Sequence, residues 1–127
     1  MRDLIVSVAI VAVLIGGWLF FDSYSARSVD EMSYLIYSDL IPAVEAEDWD
    51  DSRAMVTELS QAWNEYKKKA LFFLNSEELS EIDYCLAKAD KYVNAEDVSN
   101  SSGELNSLAG QMLFLKTKEK ITPENIL

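Results

Sequence analysis

The sequence contains no histidine and only a single cysteine. Histidine is the commonest general base and metal ligand, so without it neither a Ser-His-Asp nor a Cys-His catalytic set can form. One cysteine, Cys85, excludes an internal disulfide. It lies at helical spacing among Ile82, Leu86 and Ala89, where a buried, unreactive thiol is expected. A glycine-rich phosphate loop and a CxxC pair are also missing. We therefore expect no enzymatic activity, no cofactor and no metal site.

Basic residues are scarce relative to acidic ones. The chain carries 11 lysines and arginines against 22 aspartates and glutamates, which gives a net charge of −11. Arg2 and Asp3 cancel, so the whole of this charge falls on residues 22–127. Such a surface repels nucleic acid phosphates and anionic lipid headgroups. Nucleic acid is therefore excluded as a partner, and the charge favours solubility or a basic partner face.

The densest acidic cluster comprises Glu45, Glu47, Asp48, Asp50 and Asp51. A calcium-binding loop is the tempting interpretation, but a loop that starts at Asp48 lacks both the glycine of its sixth position and the glutamate of its twelfth. The same residues are explained by a helix end, a turn and the cap of the next helix, for which Asp50 or Asp51 is the candidate. The cluster is predicted to be structural.

One stretch lacks charge altogether, and its sequence is LIVSVAIVAVLIGGWLFF, residues 4–21. At ~1.5 Å per residue it forms about 27 Å of helix, close to the hydrocarbon thickness of a bilayer. Aromatic side chains gather at its carboxyl end, where an interfacial belt is expected. We predict that residues 1–24 form a membrane anchor whose lipid-facing residues are Leu4, Ile5, Val6, Val8, Ile10, Val11, Val13, Leu14, Ile15, Trp18, Leu19, Phe20 and Phe21.

A cleaved signal peptide is the alternative for this stretch. Ser23 and Ser25 have the spacing of a cleavage site, but the apolar run is longer than a signal peptide requires, and bulky residues stand where a polar region should begin. An uncleaved signal-anchor is favoured. Arg2 and the terminal amine precede the span, so the positive-inside rule predicts a single-pass protein of the cell membrane, with a cytoplasmic N-terminus and an extracytoplasmic domain.

Residues 25–127 read as an acidic helical bundle, because no segment alternates with the period of a strand. Short loops between apolar stripes predict antiparallel neighbours. The fold class is thus all-α: a transmembrane helix followed by an antiparallel bundle of about four helices. The first of these is expected to continue the anchor and to kink or end near Pro42, and the tail, residues 121–127, to fold back. The stripes are Val29, Met32, Ile36 and Leu40; Met55, Leu59, Ala62, Trp63, Tyr66 and Ala70; Leu79, Ile82, Leu86, Ala89 and Val93; and Leu105, Leu108, Met112 and Leu115.

Aromatic residues are frequent outside the anchor as well. Their helical positions favour core pillars, while any that stay exposed raise the prospect of a protein contact face. These candidate core or interaction residues are Trp49, Trp63, Tyr34, Tyr37, Tyr84 and Tyr92.

Four sequence segments, taken in order, carry a resemblance to a known family. They are AEDWDDSRA, LSQAWNEYKK, EELSEIDYCLAKADKYV and the terminal ITPENIL. Their order and spacing resemble the bacterial domain-of-unknown-function family 4363 over nearly the whole chain. Members often carry a histidine near the position of Ser76, which this sequence lacks, so a metal or proton role there does not carry over. The resemblance implies Gram-positive, spore-forming bacteria and an accessory role at the cell envelope or spore membrane.

Three functional hypotheses follow from these features. The first is a membrane-anchored accessory protein that docks on an integral membrane partner, with a homo-oligomer left open. The second is an extracytoplasmic sensor or small-ligand-binding bundle, which requires a polar cavity between helices. The third is an enzyme that acts through paired carboxylates, which requires a buried acidic pair. The first is favoured by the span and by the absence of catalytic sets.

Overall fold

The computed structural model of the chain describes residues 1–72 and 74–119, the last four of these as backbone. The described chain contains four helices and no strand: α1 (Arg2–Glu45), α2 (Trp49–Ala70), α3 (Ser76–Asn94) and α4 (Val98–Glu119). The predicted all-α class, with a long apolar helix leading into a helical bundle, is confirmed. The predicted return of the tail concerns residues 121–127, which lie outside the described part.

The bundle is a ring of four antiparallel segments. The second half of α1 packs against α2 and α4, and α3 packs against the same two helices. Consequently α1 and α3 occupy opposite corners. Short turns join successive helices, so α2 and α4 both run back toward the apolar stretch. We call the end of the bundle near residues 17–24 of α1 the proximal end, and the opposite end, which carries the α1–α2 and α3–α4 turns, the distal end.

The core is formed by one apolar stripe from each helix. The stripes predicted for α1, α3 and α4 are confirmed, since all of their members are buried. The stripe of α2 is partly wrong: Ala62 is exposed and Met55 only half-buried, while Val56 is buried. The reason is helical phase. Back from Trp63, alternating steps of four and three residues reach Leu59, Val56 and Ser52, which are all buried, and pass over Met55.

α1 passes through Pro42 and ends three residues later, at Glu45. Immediately before the proline, Leu35–Leu40 widens into a π-helix, in which the N–H of Ile41 donates to the carbonyl of Ile36. The wide turn accommodates the proline ring and its missing N–H. It also corrects helical phase, because residues four apart drift by about 40° per step in an α-helix. Leu40 and Val44 thereby keep facing the core.

The two distal turns share one construction. In each, an Ala-Glu-Asp triplet (residues 46–48 and 95–97) closes a Schellman motif, with the glutamate at positive φ, 58° for Glu47 and 56° for Glu96. The aspartate then caps the next helix. Asp48 therefore caps α2 and accepts from the N–H of Asp51 at 3.4 Å, and neither predicted cap, Asp50 or Asp51, does so.

α4 begins at Val98, although residues 99–103 are weak helix formers. The cause is Asp97, whose carboxylate accepts from the backbone N–H of Asn100 at 3.0 Å and from its amide at 2.7 Å. These bonds lower the pKa of Asp97. Arg53 Nη2, near the start of α2, donates to Glu96 Oε1 at 3.0 Å and so joins α2 to the α3–α4 turn.

Candidate membrane-facing site

Most of the apolar stretch of α1 is left exposed by the part of the chain that the structure describes. Among the large apolar side chains from Leu4 to Phe20, exposure ranges from 37% for Trp18 to 74% for Phe20. The helix is long and apolar enough to cross a membrane, and it alone meets that test among the described residues. The predicted anchor residues thus remain exposed with one exception. Phe21 is buried, because the bundle begins at this residue.

An aromatic cluster marks the point where the exposed stretch enters the bundle. Phe21 and Tyr24 of α1 stack on Tyr66 of α2, with ring centroids 6.3 and 6.2 Å apart. Trp63 lies against the other side of Tyr66 at 5.6 Å. Aromatic pairs packed in this way stabilise the fold beyond the contribution of their buried area. The junction is therefore part of the folded core and has none of the features of a flexible linker.

Buried and half-buried hydrogen bonds between side chains tie the same junction together. The hydroxyls of Ser25 and Tyr66 lie 2.6 Å apart and share a buried hydrogen bond between α1 and α2. On the same part of α2, Trp63 Nε1 donates to Asp83 Oδ1 at 2.6 Å, and Lys67 Nζ donates to Asp83 Oδ2 at 2.8 Å. Asp83 thereby uses both oxygens to bind α2 to α3. A hydrogen bond of this kind fixes orientation because breaking it strands a buried polar group.

The α2–α3 turn projects apolar side chains from the proximal end. Leu71 is 52% exposed and Phe72 is 85% exposed. Phe72 lines a cleft of about 290 Å³ together with Gly17, Phe20, Phe21, Tyr24 and Lys69. The amine of Lys69 lies 4.5 Å above the ring of Tyr24. This turn was not among the predicted site residues, although its Lys-Lys-Lys-Ala-Leu-Phe order combines apolar and basic residues in the manner of a membrane interface.

Two of the six candidate aromatics belong to the interior. Trp63 is fully buried in the centre of the bundle. Trp49, at the start of α2, is half-buried and packs against the core from the distal end. Both are pillars of the fold, and the hydrogen bond from Trp63 to Asp83 satisfies the indole N–H that burial would otherwise strand.

The tyrosines lie on opposite corners of the bundle. Tyr34 and Tyr37 are exposed one helical turn apart on α1, Tyr34 by 67%. Tyr84 on α3 is 68% exposed, with the amine of Lys88 5.0 Å above its ring. Tyr92 is half-buried on α3. The structure therefore divides the exposed tyrosines between two surfaces, of which only the one on α1 continues from the apolar stretch.

Cys85 has the environment of a structural thiol. Its side chain is buried and its Sγ lies 3.1 Å from Glu104 Oε1. Burial, with the adjacent Glu104 carboxylate, raises its pKa to about 12. The reactive thiolate is thus suppressed at neutral pH. Lys88 Nζ pairs with the same Glu104 oxygen at 3.1 Å, and this partner raises the pKa of Lys88.

A groove of about 510 Å³ lies between α3 and α4 at the proximal end. Its polar lining includes Glu77, Glu81 and Gln111, and its apolar lining includes Phe114. The buried carbonyl oxygen of Gln111 accepts no hydrogen bond in the described structure. Within residues 1–72 and 74–119, no three acidic or cysteine side chains are grouped closely enough to hold a metal ion.

Comparison with known proteins rests on one family model. The model for a domain of unknown function (DUF4363) matches residues 20–126. The match begins in the last turn of the apolar stretch and includes all four segments of the bundle. No curated protein and no solved structure matches the chain. A match over most of the sequence decides the assignment: the chain belongs to the DUF4363 family.

Proposed function

We propose that this chain is a membrane-anchored accessory protein, without catalytic activity of its own, that docks on an integral membrane partner at the cell envelope or spore membrane. The observation that carries the proposal is the continuity of α1. One helix supplies both the exposed apolar stretch and a corner of the bundle. A bundle joined in this way has a fixed position above the bilayer, whereas a bundle on a flexible tether does not.

The exposed apolar stretch supplies the reason for a membrane. Water-exposed apolar area costs about 25 cal/mol per Å², so a stretch that is apolar on every side requires lipid or protein cover. Arg2 precedes the stretch, which supports a cytoplasmic N-terminus and an extracytoplasmic bundle. A partner that packs along the apolar stretch within the membrane also contacts α1 above the membrane, on the side that faces away from the bundle. Tyr34 and Tyr37 are the exposed aromatic residues on that side.

Affinity purification of the tagged full chain from native membranes in mild detergent tests the proposal. We expect an integral membrane protein to copurify, and the double variant Tyr34→Ala/Tyr37→Ala to recover less of it. Tyr84→Ala is the matched control, because Tyr84 is as exposed as Tyr34 but lies on the opposite corner. Recovery of the chain alone and monomeric contradicts the proposal. Equal losses from both variants contradict the assignment of the α1 surface.

A small-ligand-binding bundle is the second candidate, and the α3–α4 groove favours it. The unpartnered carbonyl of Gln111, the glutamates nearby and the exposed ring of Phe114 suit an organic cation. Thermal unfolding of the full chain with and without spermidine tests this candidate. We expect a concentration-dependent rise in melting temperature that Gln111→Leu and Glu81→Gln each reduce. A melting temperature that spermidine leaves unchanged contradicts it for this class of ligand.

A further inference from the structure

We propose that the α2–α3 turn is a second membrane contact, in which Leu71 and Phe72 insert into the interfacial layer of the bilayer beside the last turn of the apolar stretch. The inference rests on the proposed anchoring of α1. It adds that the bundle lies directly on the lipid surface, held at two points. The occupant of this surface is lipid, and the partner proposed above binds elsewhere.

The depth of Phe72 follows from its neighbours. Its ring shares a cleft with Gly17, Phe20 and Phe21, the last turn of the apolar stretch. Any bilayer that covers the stretch as far as Phe21 therefore reaches the level of Phe72. Phe72 is 85% exposed and Leu71 52% exposed, so both are free to enter lipid without any rearrangement of the bundle.

The chemistry of the turn matches a bilayer interface. Aromatic rings are favoured at headgroup level, and lysine stems cover apolar surface while their amines reach the phosphates. Lys69 lies over the Tyr24 ring, and Lys68, on the same turn of α2, is largely exposed. Five of the eleven basic residues of the chain occur in the closing turns of α2 and α4, both at the proximal end: Lys67, Lys68, Lys69, Lys116 and Lys118.

Acidic residues dominate the distal end instead. The α1–α2 turn carries Glu45, Glu47 and Asp48, and the α3–α4 turn carries Glu96 and Asp97. At the proximal end, Glu77 and Glu78 occupy the first turn of α3, where they complement the helix dipole. Insertion of the apolar side chains therefore supplies the binding energy of the membrane contact, and the lysines orient the turn toward the headgroups. This polarity favours lipid over a second copy of this acidic chain, whose surface would bring further carboxylates to the turn.

Site-specific fluorescence in vesicles tests the contact. The full chain with Cys85→Ala receives one new cysteine at a time, by Phe72→Cys, Leu14→Cys or Glu96→Cys, and each is labelled with an environment-sensitive nitrobenzoxadiazole probe. The labelled proteins are reconstituted in phosphatidylcholine vesicles that carry nitroxide on the acyl chains near the headgroups. Aqueous iodide is the complementary quencher. Position 14 reports the anchor, and position 96 reports the distal end.

We expect the probe at position 72 to be quenched by the lipid nitroxide, with blue-shifted emission, and the probe at position 96 to be quenched by iodide alone. In the same assay with the probe at position 71, Phe72→Asp removes the lipid quenching, whereas Phe114→Asp, an exposed phenylalanine on α4, preserves it.

If position 72 behaves like position 96 while position 14 is quenched by lipid, the inference is wrong and the anchor stands. If position 14 is also accessible to iodide, the anchoring itself is wrong. Protection of position 72 from both quenchers assigns the turn to a protein contact and overturns the lipid assignment.

Discussion

Residues 4–20 and residues 21–44 belong to the same helix, yet they meet their surroundings in opposite ways. The first half is apolar on every side and exposed on every side. The second half is amphipathic: one stripe is fully buried in the bundle, and acidic residues such as Asp30, Glu31 and Asp39 occupy the outside. The boundary falls at Phe21, the first residue whose ring packs in the protein core.

On the proposed anchoring, this difference shows how one helix meets two solvents. An all-round apolar surface suits lipid, in which no face is preferred, whereas a single stripe suits a water-soluble bundle. The second half depends on helical phase, which explains why the π-helix at Leu35–Leu40 occurs there. The first half has no such requirement, and its helix is regular throughout. Corresponding substitutions in the two halves should therefore have unequal effects.

The largest expected effect comes from the same substitution made in each half. Leu40→Ala removes a fully buried side chain and should lower the free energy of unfolding by about 2–5 kcal/mol. Leu14→Ala, in the exposed stretch, should leave the stability of the bundle nearly unchanged. Denaturant unfolding of the full chain in detergent micelles, followed by far-ultraviolet circular dichroism, measures both. Equal losses of unfolding free energy in the two variants would contradict the distinction between the halves.

A smaller loss of stability is expected at the boundary itself, where Ser25 and Tyr66 share a hydrogen bond. Tyr66→Phe leaves the buried hydroxyl of Ser25 without its partner, and this should cost about 1–3 kcal/mol. Ser25→Ala removes the same hydrogen bond from the other side and should also lower the free energy of unfolding. Both variants break the same hydrogen bond, so the loss of unfolding free energy in the double variant should be smaller than the sum of the two single losses. The same unfolding assay measures this double-mutant cycle. Strictly additive losses of unfolding free energy would show that the two hydroxyls do not interact.

The smallest effect concerns the distal end and depends on pH. Hydrogen bonds from Asn100 lower the pKa of Asp97 in the folded chain below its ordinary value of 3.8. The ionised form therefore stabilises the fold above that value, and this stabilisation is lost as pH falls through the lowered pKa. Asp97→Ala should lower the melting temperature at pH 7, and its difference from the unsubstituted chain should narrow at pH 2–3.

Asp39→Ala, at an exposed position of α1, is the matched control for the pH series. It should change the melting temperature less than Asp97→Ala does, because Asp39 caps no helix. A gap between Asp97→Ala and the unsubstituted chain that stays constant from pH 7 to pH 2 would contradict the assignment of the cap.

Much of the fold could be predicted from the sequence, because steps of three and four residues identify a buried face directly. The stripes of α3 and α4, such as Ile82 to Val93 and Leu105 to Leu115, needed no tertiary information. The choice between Met55 and Val56 in α2 did, since both are apolar and adjacent. The cap at Asp48 was obscured by the acidic residues around it. The repeated Ala-Glu-Asp triplet was the available signal, and it identifies Asp97 by the same rule.

The membrane-facing site could be predicted only in part. The apolar stretch is evident from hydropathy, and the continuity of α1 was expected because no strong helix breaker follows Phe21. The position of Phe72 beside Gly17 and Phe20 could not be read, since it depends on how α2 packs back along α1. The separation of Tyr34 from Tyr84 by the width of the bundle likewise follows from which helices are diagonal, and periodicity within one helix carries no such information.

The most direct test of the account is the distance between two spin labels on either side of the boundary at Phe21. Ser7 and Tyr34 are exposed positions in the α-helical part of α1, and at ~1.5 Å per residue they lie about 40 Å apart along a continuous helix. The full chain with Cys85→Ala, Ser7→Cys and Tyr34→Cys, reconstituted in lipid nanodiscs, is measured by double electron–electron resonance. A single narrow distribution near this distance is the predicted result. A broad distribution that extends to much shorter distances would mean that the anchor is a flexible tether and would contradict the account.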